Sequence, residues 1–362
     1  MSTIQYLITA PMPQQNLTWT LAGSAFNWMA TIPINNGSGD GSLIGFSVSI
    51  TDSSHPVNNG IYPIIAYDGS IATISSTTGS SLSGSSTITI NSILWTVPAG
   101  VSTCRVRGVG GGGGGGGSGG ANNLHYPYGG SPGAGGAASL LGEVWFGAFS
   151  APSITPGTQI AIVPGQGGAG GGGGAGSGPN PGTNGSPGAD STFGGTIIST
   201  GSQGGSAGFA STITFAETNL VYSPGGVPSF NAITPIGAGT KPVFQGNPPG
   251  FGGLGTADTA FLSGGQGVIC RAGGGSPYYH AGQNQGADNS PTLGGGGGGC
   301  SQWPSGFGGL GGTGGTSPTP GGAGTAGGGG GGGGGVTTPG SNQSGVSGGP
   351  GGGGVIQILC DQ

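Results

Sequence analysis

The sequence predicts an all-β N-terminal domain, residues 1–86, followed by a glycine-rich domain, residues 87–362, of packed polyglycine II helices framed by short β-strands. Essentially no α-helix is expected. Three observations predict this fold class. Residues 1–86 alternate apolar and polar side chains, 98 of the 362 residues are glycine, concentrated in runs beyond residue 109, and no stretch has the apolar periodicity of a helix.

The N-terminal region contains short segments of β-type alternation separated by turn residues. The segments NLTWTLAGSAFNWMATIPI (16–34) and SLIGFSVSITD (42–52) are rich in β-branched and aromatic residues. Asn59-Gly60 and Asp68-Gly69 are turn signals between strands. The polar stretch 75–86 is expected to be a linker or an exposed loop.

The glycine-rich region opens with two strands and closes with one. Trp95-Thr96-Val97 precedes the turn Pro98-Ala99-Gly100, and a second strand continues through Cys104 and Val106. The last residues, VIQIL, predict another strand. Between them lie the long runs Gly110–Gly117, Gly170–Gly174, Gly294–Gly299, Gly327–Gly335 and Gly351–Gly354.

Glycine runs need a source of stability other than side-chain burial. Ordering a glycine costs about 0.5–1 kcal/mol more than ordering an alanine. A backbone hydrogen bond returns about 1 kcal/mol and a Cα–H···O contact about 0.5–1 kcal/mol. The polyglycine II helix has three residues per turn and no internal hydrogen bonds, so its polar groups must pair with neighbouring helices. Because apolar segments such as GVIC interrupt the runs, we expect a packed bundle rather than a flexible linker.

Composition excludes several classes of partner. Only 4% of residues are charged, the net charge is -5, and the four cations are scattered. A nucleic-acid partner is therefore not expected. No apolar run is long enough for membrane insertion, and the N-terminus lacks the features of a signal peptide, so synthesis in a cytoplasm is expected. The four cysteines could pair in three ways, although small apolar packing residues are the favoured interpretation.

The sequence carries no pattern typical of an enzyme. The GxGxxG matches lack a following helix, and no phosphate-binding GK[ST] occurs. The nine acidic residues are scattered and no Cys/His spacing suits zinc. We therefore expect no catalytic residues, no cofactor and no metal site, with a hydrolase as a minor alternative.

Three non-glycine segments combine aromatic and amide side chains. They are NNLHYPYGG (122–130), SPYYHAGQNQGADN (276–289) and CSQWPSG (300–306). Such side chains offer stacking faces and hydrogen-bonding groups for binding, but they could equally cap the ends of a glycine bundle. The candidate binding residues are His125, Tyr126, Tyr128, Tyr278, Tyr279, His280, Asn284 and Trp303.

Several of these segments resemble the glycine-rich domain of bacteriophage tail-fibre and virion-surface adhesins. The opening WTVPAGVSTCRVRGVGGGGGGGG (95–117) is similar to that family's hairpin and glycine run. ITPGTQIAIVPGQGGAGGGGG (154–174), STFGG (191–195) and GGVIQI (353–358) match its later landmarks. The resemblance covers roughly 87–362 and implies a sandwich of polyglycine II helices with receptor-binding loops at one end.

The resemblance implies a non-enzymatic virion protein exposed on a tail fibre or on the capsid exterior. Its N-terminal domain would attach to other virion proteins, and its loops would recognise a bacterial surface receptor, either a glycan or an outer-membrane protein. Fibres of this kind are commonly homo-oligomers, often trimers. The alternatives are a capsid decoration or head-fibre protein with only a structural role, and an extracellular-matrix or cell-wall glycine-rich protein.

Overall fold

The computed structural model describes residues 3–9, 17–24, 27–33, 44, 46–52, 56, 59–67, 71–76, 85–120, 133, 135–176, 180–208, 241–244, 297–299, 301, 303, 306–312, 317–334 and 344–361. This part of the chain is all-β, with antiparallel sheets and no α-helix. The strands are β1 (Thr3–Thr9), β2 (Leu17–Ser24), β3 (Asn27–Pro33), β4 (Ser47–Asp52), β5 (Gly60–Tyr67), β6 (Ile71–Ser76), β7 (Ser85–Thr96), β8 (Cys104–Val109), β9 (Leu141–Phe146), β10 (Gln159–Val163), β11 (Ser191–Phe193), β12 (Thr196–Ser199), β13 (Lys241–Phe244) and β14 (Val355–Asp361).

The N-terminal strands form a closed antiparallel sheet. The pairings run β7-β2-β3-β6-β5-β4, and β4 pairs back onto β7. Alternation places one face inside: Tyr62 and Ile64 of β5 are buried, whereas Ile61 and Ile65 are exposed. The stretch 75–86, expected to be a linker or loop, contributes its first two residues to β6 and its last two to β7.

Three strand pairings connect the N-terminal region with the glycine-rich region. β7 spans residue 86, and β2 and β4 both pair with its residues beyond 86. The last residues of β7 pair with β10, which continues the sheet to β11 and β12. β1 belongs to a second sheet of order β1-β14-β8-β9-β13, where it pairs with the C-terminal strand β14. The two regions are therefore joined by backbone hydrogen bonds as well as by the chain itself.

The inner faces of the two sheets share one apolar core. β12 packs against β8 and β9, and the cluster runs continuously from the closed sheet to β14. Phe193 lies at its centre, fully buried, with ring centroids 5.9 Å from Trp95 and 5.0 Å from Phe146. This side-chain core lies at one end of the glycine-rich segments, because six strands lead directly into or out of them.

The strands set the direction of each glycine-rich segment. β8, β10 and β12 lead into segments 110–120, 164–176 and 200–208, which run away from the sheets. Segments 135–140, 180–190 and 344–354 run toward the sheets and lead into β9, β11 and β14. Among the described residues, no helix is long and apolar enough to span a membrane.

Candidate functional site

The amide donors of segment 110–120, called here the central segment, repeat every three residues. Gly111, Gly114 and Gly117 donate to carbonyls of segment 180–190. The donors one position later, at 112, 115 and 118, bond to segment 344–354, and Gly113 donates to Ala137. These N···O distances lie between 2.8 and 3.0 Å. Successive amides of the central segment therefore point in three directions.

The carbonyl groups of the central segment follow the same period toward three other segments. The carbonyls at 112, 115 and 118 accept from segment 164–176, and those at 111, 114 and 117 accept from segment 200–208. Gly113 and Gly116 accept from segment 327–334. Within the described residues, the central segment thus has six hydrogen-bonded neighbours.

The six neighbours also bond to one another and form a closed ring. Going around the ring, the order is 164–176, 180–190, 200–208, 135–140, 327–334, 344–354 and back to 164–176, and every adjacent pair shares backbone hydrogen bonds. Chain direction alternates at each step, as the order of the hydrogen-bond partners shows. We call the central segment and its ring the glycine core.

Close approach explains why the central segment is glycine. At each of Gly110–Gly117, an added Cβ would collide with a carbonyl oxygen of a neighbouring segment. These carbonyls also repeat every three residues, so the Cα hydrogens form C–H···O contacts along with the N–H···O bonds. The backbone itself fills the interior that side chains fill elsewhere.

Segment 180–190 of the ring needs glycine only at every third position, whereas segment 164–176 needs it at two of every three. In segment 180–190, Gly182, Gly185 and Gly188 face the central carbonyls, and an added Cβ at any of the three would collide with them. The positions between them carry Pro, Thr, Asn, Ser and Ala and are largely exposed. In segment 306–312, which packs on 327–334, Phe307 and Leu310 are likewise exposed. In these two segments, non-glycine residues thus mark the outer face of the glycine core.

Buried serines bind backbone groups inside the glycine core and at its junction with the sheets, and sequence reasoning missed them. Gly110 donates to the hydroxyls of Ser139 and Ser199, at 2.8 and 2.9 Å. Ser202 accepts from the amide of Gly113 at 2.9 Å and donates to the carbonyl of Ala137 at 2.7 Å. The signal in the sequence was a single serine near a glycine run at the end of a strand. There the backbone pairing of the strand stops before the pairing of the glycine core begins.

Trp303 is the one predicted binding residue among those described. Its side chain is 7% exposed and packs with Val109 and Val355. The guanidinium of Arg107 lies 5.8 Å from its ring centroid, and Arg107 also donates to Gln357. In this chain the ring therefore covers the sheet end of the glycine core, which is the capping role that the sequence left as an alternative.

The other predicted binding residues lie outside the described residues. They are His125, Tyr126, Tyr128, Tyr278, Tyr279, His280 and Asn284. Gly120 and Gly133 bracket residues 121–132. The amide of Gly120 bonds to Asn180, while that of Gly111 bonds to Ala189, next to β11. Gly120 thus lies at the end of the glycine core away from the sheets.

The described surface has few charged groups. Arg105 lies 5.6 Å from the ring centroid of Trp145 and 3.8 Å from Glu143, on the outer face of the second sheet. An open apolar pocket of about 450 Å³ lies beside Trp95, lined also by Phe46, Pro98 and Pro156. Within the part of the chain that the structure describes, no group of three His, Cys, Asp or Glu residues could hold a metal ion.

No family model matches this chain, and the search of curated proteins finds no match to it.

Proposed function

We propose that the segments of the glycine core are polyglycine II helices. Three features support this proposal: donors and acceptors repeat every three residues, the central segment bonds to other segments, and six neighbours surround it. A helix of three residues per turn directs its amides and carbonyls outward at such intervals. Both parallel and antiparallel neighbours can hydrogen-bond to such a helix, because its amides and carbonyls point outward in every direction.

Amide hydrogen exchange of the glycine-labelled protein tests this helix assignment. We expect the hydrogen-bonded amides of Gly111–Gly115 and Gly117 to exchange only through opening of the whole glycine core, with protection comparable to that of β8. Exposed Gly172, whose amide bonds to the Thr183 hydroxyl, should exchange faster. Exchange of the central amides at the rate of an unfolded chain would contradict the proposal.

We further propose that the protein is a non-enzymatic bacteriophage virion protein, a tail fibre or adhesin that recognises a host-cell surface receptor. The observation that carries this proposal is the asymmetry of the glycine core. Strands and a side-chain core close one end, so segment connections at the other end are free to vary in sequence. The resemblance of the opening hairpin and later landmarks to phage adhesins supports the same function.

Binding is favoured at the end of the glycine core that lies away from the sheets. Backbone pairing holds the segments independently of the side chains in the connections, and the low charge limits nonspecific attraction. We propose that residues 121–132 contribute to receptor contact, and that the N-terminal region attaches to other virion proteins within a homo-oligomer.

Binding to bacterial cells tests the proposed function. Fluorescently labelled full-length protein is incubated with cells permissive for the phage and with receptor-deficient resistant mutants. We expect saturable binding to permissive cells that unlabelled protein or phage competes away. The matched variant Tyr126→Ala/Tyr128→Ala should bind at least about tenfold more weakly with an unchanged unfolding midpoint, as expected for aromatic anchors. Absence of binding, together with regular placement over the capsid, would support the decoration alternative instead.

A further inference from the structure

Two cysteines lie opposite each other on the paired strands β8 and β14. Cys104 is the first residue of β8, and its register partner on β14 is Cys360. Both are reduced, and their exposed fractions are 1% and 0%. Directly opposed residues of an antiparallel pair point to the same face of the sheet, and both side chains lie in the apolar core.

The register places the two cysteines within the Cα range of a disulfide. Opposed residues in antiparallel strands have Cα atoms about 4.5 or 5.5 Å apart, depending on the type of pair. Disulfides span Cα separations of about 4.4–6.8 Å, so either type of pair fits. Burial raises the pKa of the Cys104 thiol, and proximity of Cys360 raises it further. The folded pair is therefore protonated and oxidises slowly unless the strand end opens.

We propose that Cys104 and Cys360 form a disulfide when the protein meets a disulfide oxidant such as oxidised glutathione. After local opening, one cysteine loses its proton and its thiolate attacks the oxidant, which releases one glutathione thiolate. The thiolate of the second cysteine then attacks the mixed disulfide and releases the second glutathione thiolate. The protein loses two protons and two electrons, and the oxidant is reduced to two glutathione molecules.

The position of the link gives it a consequence for the glycine core. β8 leads into the central segment, and β14 follows segment 344–354. Carbonyls of segment 344–354 accept hydrogen bonds from amides of the central segment. A Cys104–Cys360 disulfide would join β8 to β14, the last strand of the glycine-rich region, and close a loop of most of the chain. Long loops lose the most unfolded-state entropy on cross-linking, so the link would stabilise the folded state.

Peptide mapping of the full chain tests the link. The variant Cys270→Ser/Cys300→Ser removes the other two cysteines, and the folded protein is incubated with reduced and oxidised glutathione. Trypsin cleaves after Arg105 and Arg271, so the disulfide joins residues 1–105 to residues 272–362 in a nonreduced digest. We expect this linked product, and a mass lower by two hydrogens in the intact protein.

Thermal unfolding separates a native link from an accidental one. Oxidation should raise the unfolding midpoint by roughly 5–10 °C, and a reductant should reverse the rise. The control Cys360→Ser, made in the same background, should show neither the linked product nor the shift. If that control fails to fold, the oxidised and reduced forms of the parent variant still provide the comparison. Absence of the linked product in folded protein, or a linked product with a lower midpoint, would overturn the proposal.

Discussion

The two cores of this protein exclude water by different means. In the sheets, Phe193, Trp95 and Phe146 fill the space between facing strands. In the glycine core, the central segment is wholly buried although eight successive residues have no side chain. The distance between the facing sheets is set by the size of the side chains that fill it. In the glycine core, by contrast, neighbouring backbones must be in direct contact.

The difference teaches where each core is sensitive to substitution. A side-chain core is damaged by removing atoms, because a cavity remains. The glycine core is damaged by adding them, because carbonyl oxygens already occupy the space around each Cα. Both cores meet at buried serines, whose hydroxyls accept the first amides beyond the strands.

The largest effect is expected from Gly114→Ala, at the centre of the glycine core. The new Cβ would collide with the carbonyl of Ala169 and displace hydrogen bonds to Ser186 and Gly205. Overpacking and the lost bonds together should lower the free energy of unfolding by about 5 kcal/mol or more. Denaturant unfolding, or loss of soluble folded protein, measures the effect.

Gly172→Ala is the matched control for that substitution. An added Cβ there would lie 3.6 Å from the Thr183 hydroxyl, which is ordinary contact, and the residue is exposed. The free energy of unfolding should change by less than about 1 kcal/mol, with an increase possible through the less flexible unfolded chain. Equal losses for the two variants would show that glycine is needed for chain flexibility and not for close packing.

The next effect is expected from Phe193→Ala in the side-chain core. Removing a fully buried ring that packs on Trp95 and Phe146 should cost about 3–5 kcal/mol of unfolding free energy. Phe149→Ala is its control, because that ring is fully exposed and should change stability by less than about 0.5 kcal/mol. Tolerance of Phe193→Ala would mean that the glycine core alone sustains the fold.

Ser202→Ala tests a buried hydroxyl within the glycine core. It removes the oxygen that accepts from Gly113 and the hydroxyl that donates to Ala137, while the Gly113 amide and the Ala137 carbonyl keep their direct hydrogen bond. A loss of about 1 kcal/mol is expected, because neither backbone group is left unsatisfied. Exposed Ser347→Ala should have no comparable effect. Matching midpoints for the two variants in urea would argue against a structural role for the buried hydroxyl.

The smallest effect is expected from Arg105→Ala on the outer face of the second sheet. Its ion pair with Glu143 and its contact with Trp145 are partly exposed, so the loss should be about 0.5–1 kcal/mol. The difference from the unmodified chain should shrink as salt is raised, because screening weakens the ion pair. A salt-independent loss would assign the effect to packing of the arginine stem on the ring.

Part of the glycine core could have been predicted more fully from the sequence. In PGTNGSPGAD (181–190), glycine recurs every third position, and in GFGGLGG (306–312), Phe307 and Leu310 are three apart. The first spacing indicates a segment with one inward row of glycines and the second a segment with one outward row of side chains, whereas an unbroken run such as Gly110–Gly117 indicates a segment enclosed on all sides. The pairing of segments could not be predicted, because glycine runs are identical to one another in their side chains.

The candidate site was predictable only as a list of residues. An aromatic in a glycine-rich sequence can face outward or cover an end, and Trp303 packs on Val109 and Val355, far from it in sequence. The same holds for Cys104 and Cys360, which the sequence left with three ways to pair. Contacts of this kind depend on which strand lies beside which.

The sequence by itself determined the class of each region. Alternating apolar residues require strands, and runs without Cβ atoms require backbone-to-backbone packing. Only the tertiary structure decided that β1 pairs with β14, that β7 serves both regions, and that the central segment has six neighbours among the described residues. The reason is that backbone hydrogen bonds carry no side-chain identity, so their partners are fixed by the strands that position each segment.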